Sequence, residues 1–362
     1  MTITVLVVDD SALMRRQIST LLTAEGDIQT VTARDGVDAL AQIARHPPDV
    51  ITLDINMPVM DGLTCLSHIM RRFPTPVIML SSLTEHGALA TFEALALGAV
   101  DYVSKPGGTV SLNIDQIGDE LRQKVRAAAR SQAKVPAPTT SSQRRPSSPA
   151  PPAPAGKPPQ LVIIGVSTGG PSAVQTVLSA LPKDFALPII VAQHMPQAFT
   201  APFARRLDQH CRLPVSEVGS NEVVQPGQVY VARGDADVRL VNRGGQIRLG
   251  AMPANPRVHW HPSISLLVAS ARQVYADAAL ITVQLTGMGN DGAAEMAAAH
   301  RGGALTIAES EQTAAVFGMP RALIEEGGAS KVLPRDQIAA QLVAWSTPAL
   351  NRAGRSRGLS LW

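Results

Sequence analysis

Cysteine is nearly absent: Cys65 and Cys211 are the only two in 362 residues, too few for a disulfide framework and without the spacing of a zinc site. Both read as packing residues. Long apolar runs are missing as well, and nothing approaches the ~18 residues of a membrane-spanning helix, so a membrane protein is excluded. The opening MTITVLVVDD lacks a basic n-region and meets Asp9 and Asp10 almost at once, so it is not read as a signal peptide. A cytoplasmic protein is the expectation. What is present is ample apolar material, 45% of residues against 17% charged. At ~100–200 residues per domain the length predicts two domains.

The net charge of +3 invites a nucleic-acid partner until its location is considered. Residues 131–160 hold Lys134, Arg144, Arg145 and Lys157 without an acid, and residues 349–362 hold Arg352, Arg355 and Arg357. Removing that +4 and +3 leaves −4 for everything else. The basic balance thus belongs to unstructured sequence, and no nucleic-acid partner is expected. Residues 131–160 also carry nine of the 28 prolines and almost no large apolar side chain. Such a stretch cannot bury enough surface to offset chain entropy, so it is a linker. The predicted domains are 1–125, then a Pro-rich linker over 126–159, then 160–348, then a basic tail over 349–362.

Ahead of the linker, ITVLVV, IQTVTA, VITLD, PVIML and VDYVSKP alternate with five helical patterns, which predicts a parallel sheet with helices on both faces. Such sheets place their sites at the carboxyl ends of the strands. Asp9 and Asp10 follow the first strand and Asp54 ends the third, so three carboxylates converge. Their repulsion makes sense around a hard divalent cation such as Mg²⁺. Lys105, after the fifth strand, completes charge balance and leaves Asp54 able to accept a phosphoryl group. Ser81 could hydrogen-bond that group, and Tyr102 could change rotamer in response. The bland alternative has the acids merely capping helices. Acids at two strand ends, a hydroxyl at another and Lys-Pro after the fifth weigh against it.

VLVVDD, Asp54 in VITLDINMPVMDG, Ser81 and DYVSKP resemble the receiver domain of bacterial response regulators over roughly residues 3–122. The resemblance implies that Asp54 is the phosphoacceptor and that Asp9, Asp10 and Asp54 hold Mg²⁺ with the Asn56 backbone carbonyl. It further implies that Lys105 contacts the phosphoryl group and that a histidine kinase is the donor.

After the linker, LVIIG, PIIVAQ and ALITVQLT lead into helices, whereas 215–250 reads as short strands with Gly-rich turns, and hairpins are the expectation for that stretch. A second doubly wound domain with a β-hairpin insertion is predicted. LVIIGVSTGGP contains a literal G-x-S-x-G, Gly165 to Gly169, at a strand-to-helix turn. Ser167 there is a candidate nucleophile, and it needs a base. His194 closes the next strand in PIIVAQHMP, and Asp291 lies in the Gly-rich LTGMGNDG after a third. Ser, His and Asp at three strand ends give nucleophile, base and orienter. Two alternatives stand beside this one. A triad in hydrolase order would pair Asp235 or Asp237 with His259, His261 or His300, although both acids read as turn residues. IGVSTGG could instead cradle a nucleotide phosphate, although it lacks the G-x-G-x-x-G spacing and the Walker lysine.

IGVSTGGP, QHMP and LTGMGNDGA behind a receiver and a Pro-rich linker resemble the chemotaxis response-regulator methylesterases, the CheB family. That resemblance implies Ser167 as nucleophile, His194 as general base, Asp291 as its orienter, and Thr168 with the Met288 N–H at the oxyanion site. It implies hydrolysis of glutamyl methyl esters on chemoreceptors, releasing methanol, with deamidation of glutamines as a companion activity. No cofactor is implied for the esterase. Receptor clusters at the membrane, the kinase and an opposing methyltransferase are the implied partners, with no insertion into the membrane. A tether of this length would let an unphosphorylated receiver cover the Ser167 face at ~mM local concentration. One segment departs from the family pattern: RVHWHPSIS (257–265) stands where something like His-Arg-Pro-Ser is expected. His259, Trp260 and His261 therefore bear on substrate preference.

Overall fold

The computed structural model describes residues 2–82, 84–105, 114–132 and 159–346. Most of the expected linker, the 349–362 tail and the His86 side chain lie outside the described residues. The chain divides into two compact units, Met1–Pro138 and Thr139–Trp362.

The first unit runs β1 (Ile3–Val8), α1 (Ala12–Thr23), β2 (Ile28–Ala33), α2 (Gly36–Arg45), β3 (Val50–Asp54), α3 (Gly62–Arg72), β4 (Val77–Ser81), α4 (Glu85–Ala96), β5 (Asp101–Ser104) and α5 (Ile114–Gln132). Its five strands are all parallel, in the order β2-β1-β3-β4-β5. Every residue of β3 and β4 is buried, as befits central strands covered on both faces. Val5, Val7, Ile78 and Leu80 join Ile18, Leu22, Leu121 and Val125 in one core. Each such side chain contributes roughly 1.5–3 kcal/mol on burial. Side chains start four of the helices: Ser11, Asp35, Asp61 and Thr84 accept backbone N–H groups of α1, α2, α3 and α4. The α5 helix continues past residue 125 to Gln132, because Ala128 is still buried in the same core.

The second unit comprises β6 (Leu161–Val166), α6 (Gly170–Ser179), β7 (Ile189–Gln193), α7 (Gln197–His210), β8 (Val215–Glu217), β9 (Glu222–Val223), β10 (Val229–Val231), β11 (Ala236–Arg243), β12 (Gln246–Pro253), α8 (Ile264–Val274), β13 (Leu280–Gln284), α9 (Ala293–Arg301), β14 (Leu305–Glu309), α10 (Met319–Glu325), β15 (Lys331–Leu333) and α11 (Arg335–Ser346). Seven strands form its main sheet, in the order β15-β14-β13-β6-β7-β10-β8. The 215–250 stretch is only partly hairpin. β8 and β10 pair in parallel within the main sheet, because Val229, Tyr230 and Val231 are apolar enough to be buried beside β7. β11 and β12 do form the expected hairpin, extended by β9 into a separate three-stranded antiparallel sheet. Asp237 is also not a turn residue: it sits within β11 opposite Met252 and is buried. Asp235 does occupy a turn, at φ +52°.

The order β13-β6-β7 matters most for function. It sets the ends of these three strands side by side, with the Ser167 turn on the middle one.

Candidate functional site

In the first unit, β1 and β3 are neighbours, so the residues at their ends meet. Carboxylate oxygens of Asp9, Asp10 and Asp54 lie within 4.8 Å of one another. Asp9 and Asp54 are buried and Asp10 is exposed. Lys105 Nζ reaches both buried acids, 2.8 Å from Asp9 and 2.7 Å from Asp54. Burial pushes the Asp54 carboxyl above the usual range, against the pull of Lys105. Burial works to lower the Lys105 amine too, yet its bonds to Asp54 and Asp9 outweigh that and raise it. An oxygen-only donor set of this spacing fits a hard divalent cation. Arg15, which sequence reasoning missed, donates from Nη1 to the backbone oxygens of Asp9 and Asp10 and fixes their turn.

Ser81 and Tyr102 are both buried at the expected strand positions. The Ser81 hydroxyl donates to Gly87 O at 3.1 Å and accepts from Thr91 at 2.8 Å, so it is engaged with α4. The Lys105 backbone N–H donates to Ser81 O at 2.7 Å, tying the end of β4 to Lys105. Asn56 is exposed beyond Asp54. Cys65 is buried and Cys211 half-buried, and burial pushes their thiols up to about 12 and about 11.

In the second unit the two glycines of the G-x-S-x-G run have separate tasks. A Cβ on Gly165 would lie 2.8 Å from Ile264, so glycine lets α8 approach β6. Gly169 takes φ +74°, the left-handed turn that opens α6. Between them the Ser167 backbone is fixed from several directions. Its N–H donates to Thr286 O at 3.0 Å, and its carbonyl accepts from Gly170 N at 2.8 Å and Gln193 Nε2 at 2.9 Å. Gln193 Nε2 also donates to His194 O at 3.1 Å, linking the serine turn to the histidine turn. No sequence signal marked Gln193.

His194 and Asp291, both buried, are joined through Nε2 and Oδ2 at 2.9 Å. His194 Nδ1 is buried with no described partner. None of the described hydrogen bonds engages the Ser167 hydroxyl, and the Thr168 and Met288 N–H groups donate in none. Asp291 is held by the first turn of α8: Ile264 N donates at 2.7 Å, Ser265 N at 3.0 Å, and Ser263 Oγ reaches 3.5 Å. A carboxylate at a helix N-terminus is favoured by free N–H groups and by the dipole. Burial alone would raise the Asp291 carboxyl, but His194 and Ser265 hold it below the ordinary range. Proline followed by Ser263 and an apolar run was a legible N-cap signal for this clamp.

The alternatives fare differently. Asp237 and His261 do pair, at 2.9 Å, while Asp237 also accepts from Asn255 N and Ser263 N. No serine hydroxyl is among the described partners of that pair. His300 bonds Ala304 O and Ser330 at the end of α9. Asp235 caps the start of α7 through Gln197 N. No helix among the described residues is long and apolar enough to cross a membrane.

Residues 162–342 match the CheB methylesterase family model and residues 5–114 match the response regulator receiver domain model. The chain is 48% identical over 353 residues to protein-glutamate methylesterase/protein-glutamine glutaminase 3 of Rhodospirillum rubrum, covering 94% of this chain and 95% of that one. It is 48% identical to the like-named protein of Vibrio cholerae over 89% of this chain and 90% of that one. The crystal structure of the Thermotoga maritima CheB methylesterase catalytic domain is 38% identical, covering 51% of this chain and 97% of that chain with a TM-score of 0.49. With such identity running through both units, the chain belongs to the CheB family of methylesterases with a receiver domain.

Proposed function

We propose that this chain is a phosphorylation-regulated serine esterase that hydrolyses glutamyl methyl esters of chemoreceptors and deamidates receptor glutamines. The observation that carries the chemistry is the His194–Asp291 pair at the strand end beside Ser167, with His194 Nδ1 left as a buried lone pair. Because Nε2 is bound to Asp291, Nδ1 is the atom that takes the proton from the Ser167 hydroxyl as Oγ attacks the ester carbonyl. The Thr168 and Met288 N–H groups receive the oxyanion. The imidazolium, stabilised by the charged Asp291, then protonates the departing methoxide, and methanol leaves an acyl-enzyme on Ser167. Water activated by the same nitrogen releases the glutamate side chain and restores the serine. An amide enters the same route, with ammonia leaving.

In the receiver, Asp54 accepts the phosphoryl group from a histidine kinase and Lys105 pairs with its oxygens. Asp9, Asp10, Asp54 and the Asn56 carbonyl would hold Mg²⁺, which neutralises charge on that group when bound. Ser81 and Tyr102 carry the response toward α4 and β5. The esterase itself works without a cofactor. The receiver extends to the end of α5 at Gln132, seven residues beyond the limit read from the sequence, and the protein acts in the cytoplasm, at receptor clusters.

Methanol release from methylated receptor membranes tests the esterase assignment. Ser167→Ala should lower it by about a thousandfold or more, because triad members act as a unit. A variant that keeps wild-type release would exclude Ser167 as the nucleophile.

A further inference from the structure

Trp260 belongs to the segment that departs from the family pattern, and it lies on the proposed base. Its ring is stacked on His194 with centroids 5.3 Å apart and planes 7° from parallel. His259 packs edge-on against the same indole, with centroids 4.7 Å apart at 90°. The segment leads directly into Ser263–Ser265, which clamps Asp291. One stretch of chain therefore governs both the face of the imidazole and the carboxylate at its edge.

We infer that Trp260 is a positioning residue of the esterase: its indole face, parallel to the His194 ring, fixes the ring plane and favours the imidazolium formed when Ser167 is deprotonated. The inference rests on the triad reading above. A flat aromatic face restricts rotation about the His194 side chain while Nε2 is anchored to Asp291, so Nδ1 keeps its aim. The negative face of an indole attracts a cation within ~6 Å of its centroid. That attraction is absent from the neutral ring and present in the transition state, the condition for raising kcat rather than tightening substrate binding.

Asp291 is bonded to Nε2, His259 lies against Trp260, and His261 is turned to Asp237. The Ser167 turn and the Met195–Gln197 turn contribute no charged side chain.

The test compares Trp260→Phe with Trp260→Leu in the full chain, measuring methanol release over a pH series. Both variants keep apolar cover over the imidazole, and only phenylalanine keeps a π face. Trp260→Phe should stay within about threefold of wild-type kcat. Trp260→Leu should lose about tenfold in kcat with little change in KM, and its acid limb should move to lower pH by about half a unit or more, as the imidazolium loses its partner. Equal behaviour of the two variants, or a loss confined to KM, would overturn the inference and assign Trp260 to space filling or substrate contact. Ser167→Ala in the same series separates the levels. If it is inactive while the Trp260 variants behave alike, only this inference fails; if it stays active, the triad reading fails with it. Unchanged far-ultraviolet circular dichroism and thermal midpoints verify that the variants are folded.

Discussion

Asp54 and Asp291 are both buried carboxylates at strand ends, and their surroundings push them in opposite directions. Asp54 has one cationic partner shared with Asp9, and burial wins, so its carboxyl is raised. Charged Asp54 therefore costs the folded receiver stability at neutral pH, and that cost eases as pH falls toward its raised pKa. Asp54→Asn should raise the metal-free thermal midpoint by about 2 °C, with Lys105 still paired to Asp9. Millimolar Mg²⁺ should stabilise the wild type and leave Asp10→Asn less affected, as a fluorescence melt with and without Mg²⁺ would show. Asp291 is the reverse case, with His194 and Ser265 outweighing burial. Its folded pKa is depressed, so its contribution is complete above the unfolded value of about 3.9 and is lost as pH falls through the folded one. Asp291→Asn should accordingly destabilise the second unit at pH 7 and much less at pH 3. An equal loss at both values would contradict the charge argument.

At the scale of elements, the first turn of α8 and the turn after β13 decide whether the triad is assembled. Ser263 caps α8 through Leu266 N at 3.2 Å and also touches Asp291. Ser263→Ala should lower stability by about 1 kcal/mol in urea melts and should also reduce kcat, because the N–H groups that hold Asp291 belong to the turn it caps. The glycines of these turns are spatial requirements. A Cβ on Gly287 would collide with Met319 Sδ and sit 2.7 Å from Ser167 Cβ, and one on Gly170 would collide with Gln193 Oε1. Gly287→Ala should thus depress methanol release far more than it depresses the urea midpoint, since the displaced atoms include the nucleophile's own Cβ. The G-x-S-x-G run and the LTGMGNDG turn were legible because a strand-to-helix turn needs small residues in order. Gln193 and Thr286 were harder to see, and although the Ser263 cap was legible its hold on Asp291 was not, because these roles arise from contacts between segments distant in sequence. Thr286, for instance, accepts Ser167 N through its carbonyl while its hydroxyl donates to Thr168 O.

For the whole molecule, strand–helix alternation exposed both parallel sheets, since apolar runs such as LVIIGV are buried on both faces and announce themselves without alternation. The hairpin reading of 215–250 went astray where strands were shortest. Three-residue β8 and β10 carry too little pattern to separate a parallel edge from a hairpin arm, and the pairing partner decides. The arithmetic of charge assigned the surplus of Lys and Arg to the linker and tail, leaving a net −4 that lies wholly in residues 1–130, with residues 161–348 neutral. One unit carries an acid cluster suited to phosphorylation, and the other carries a serine, histidine and aspartate at adjacent strand ends. The central claim is that modification of the first controls hydrolysis by the second. Its most direct test is methanol release by the full chain from methylated receptor membranes, with Mg²⁺ present and a low-molecular-weight phosphodonor added or withheld. The account predicts severalfold faster release with the donor in the wild type, and no response in Asp54→Asn, which should keep the basal rate. Equal rates with and without the donor in the wild type, or the same stimulation in Asp54→Asn, would contradict it.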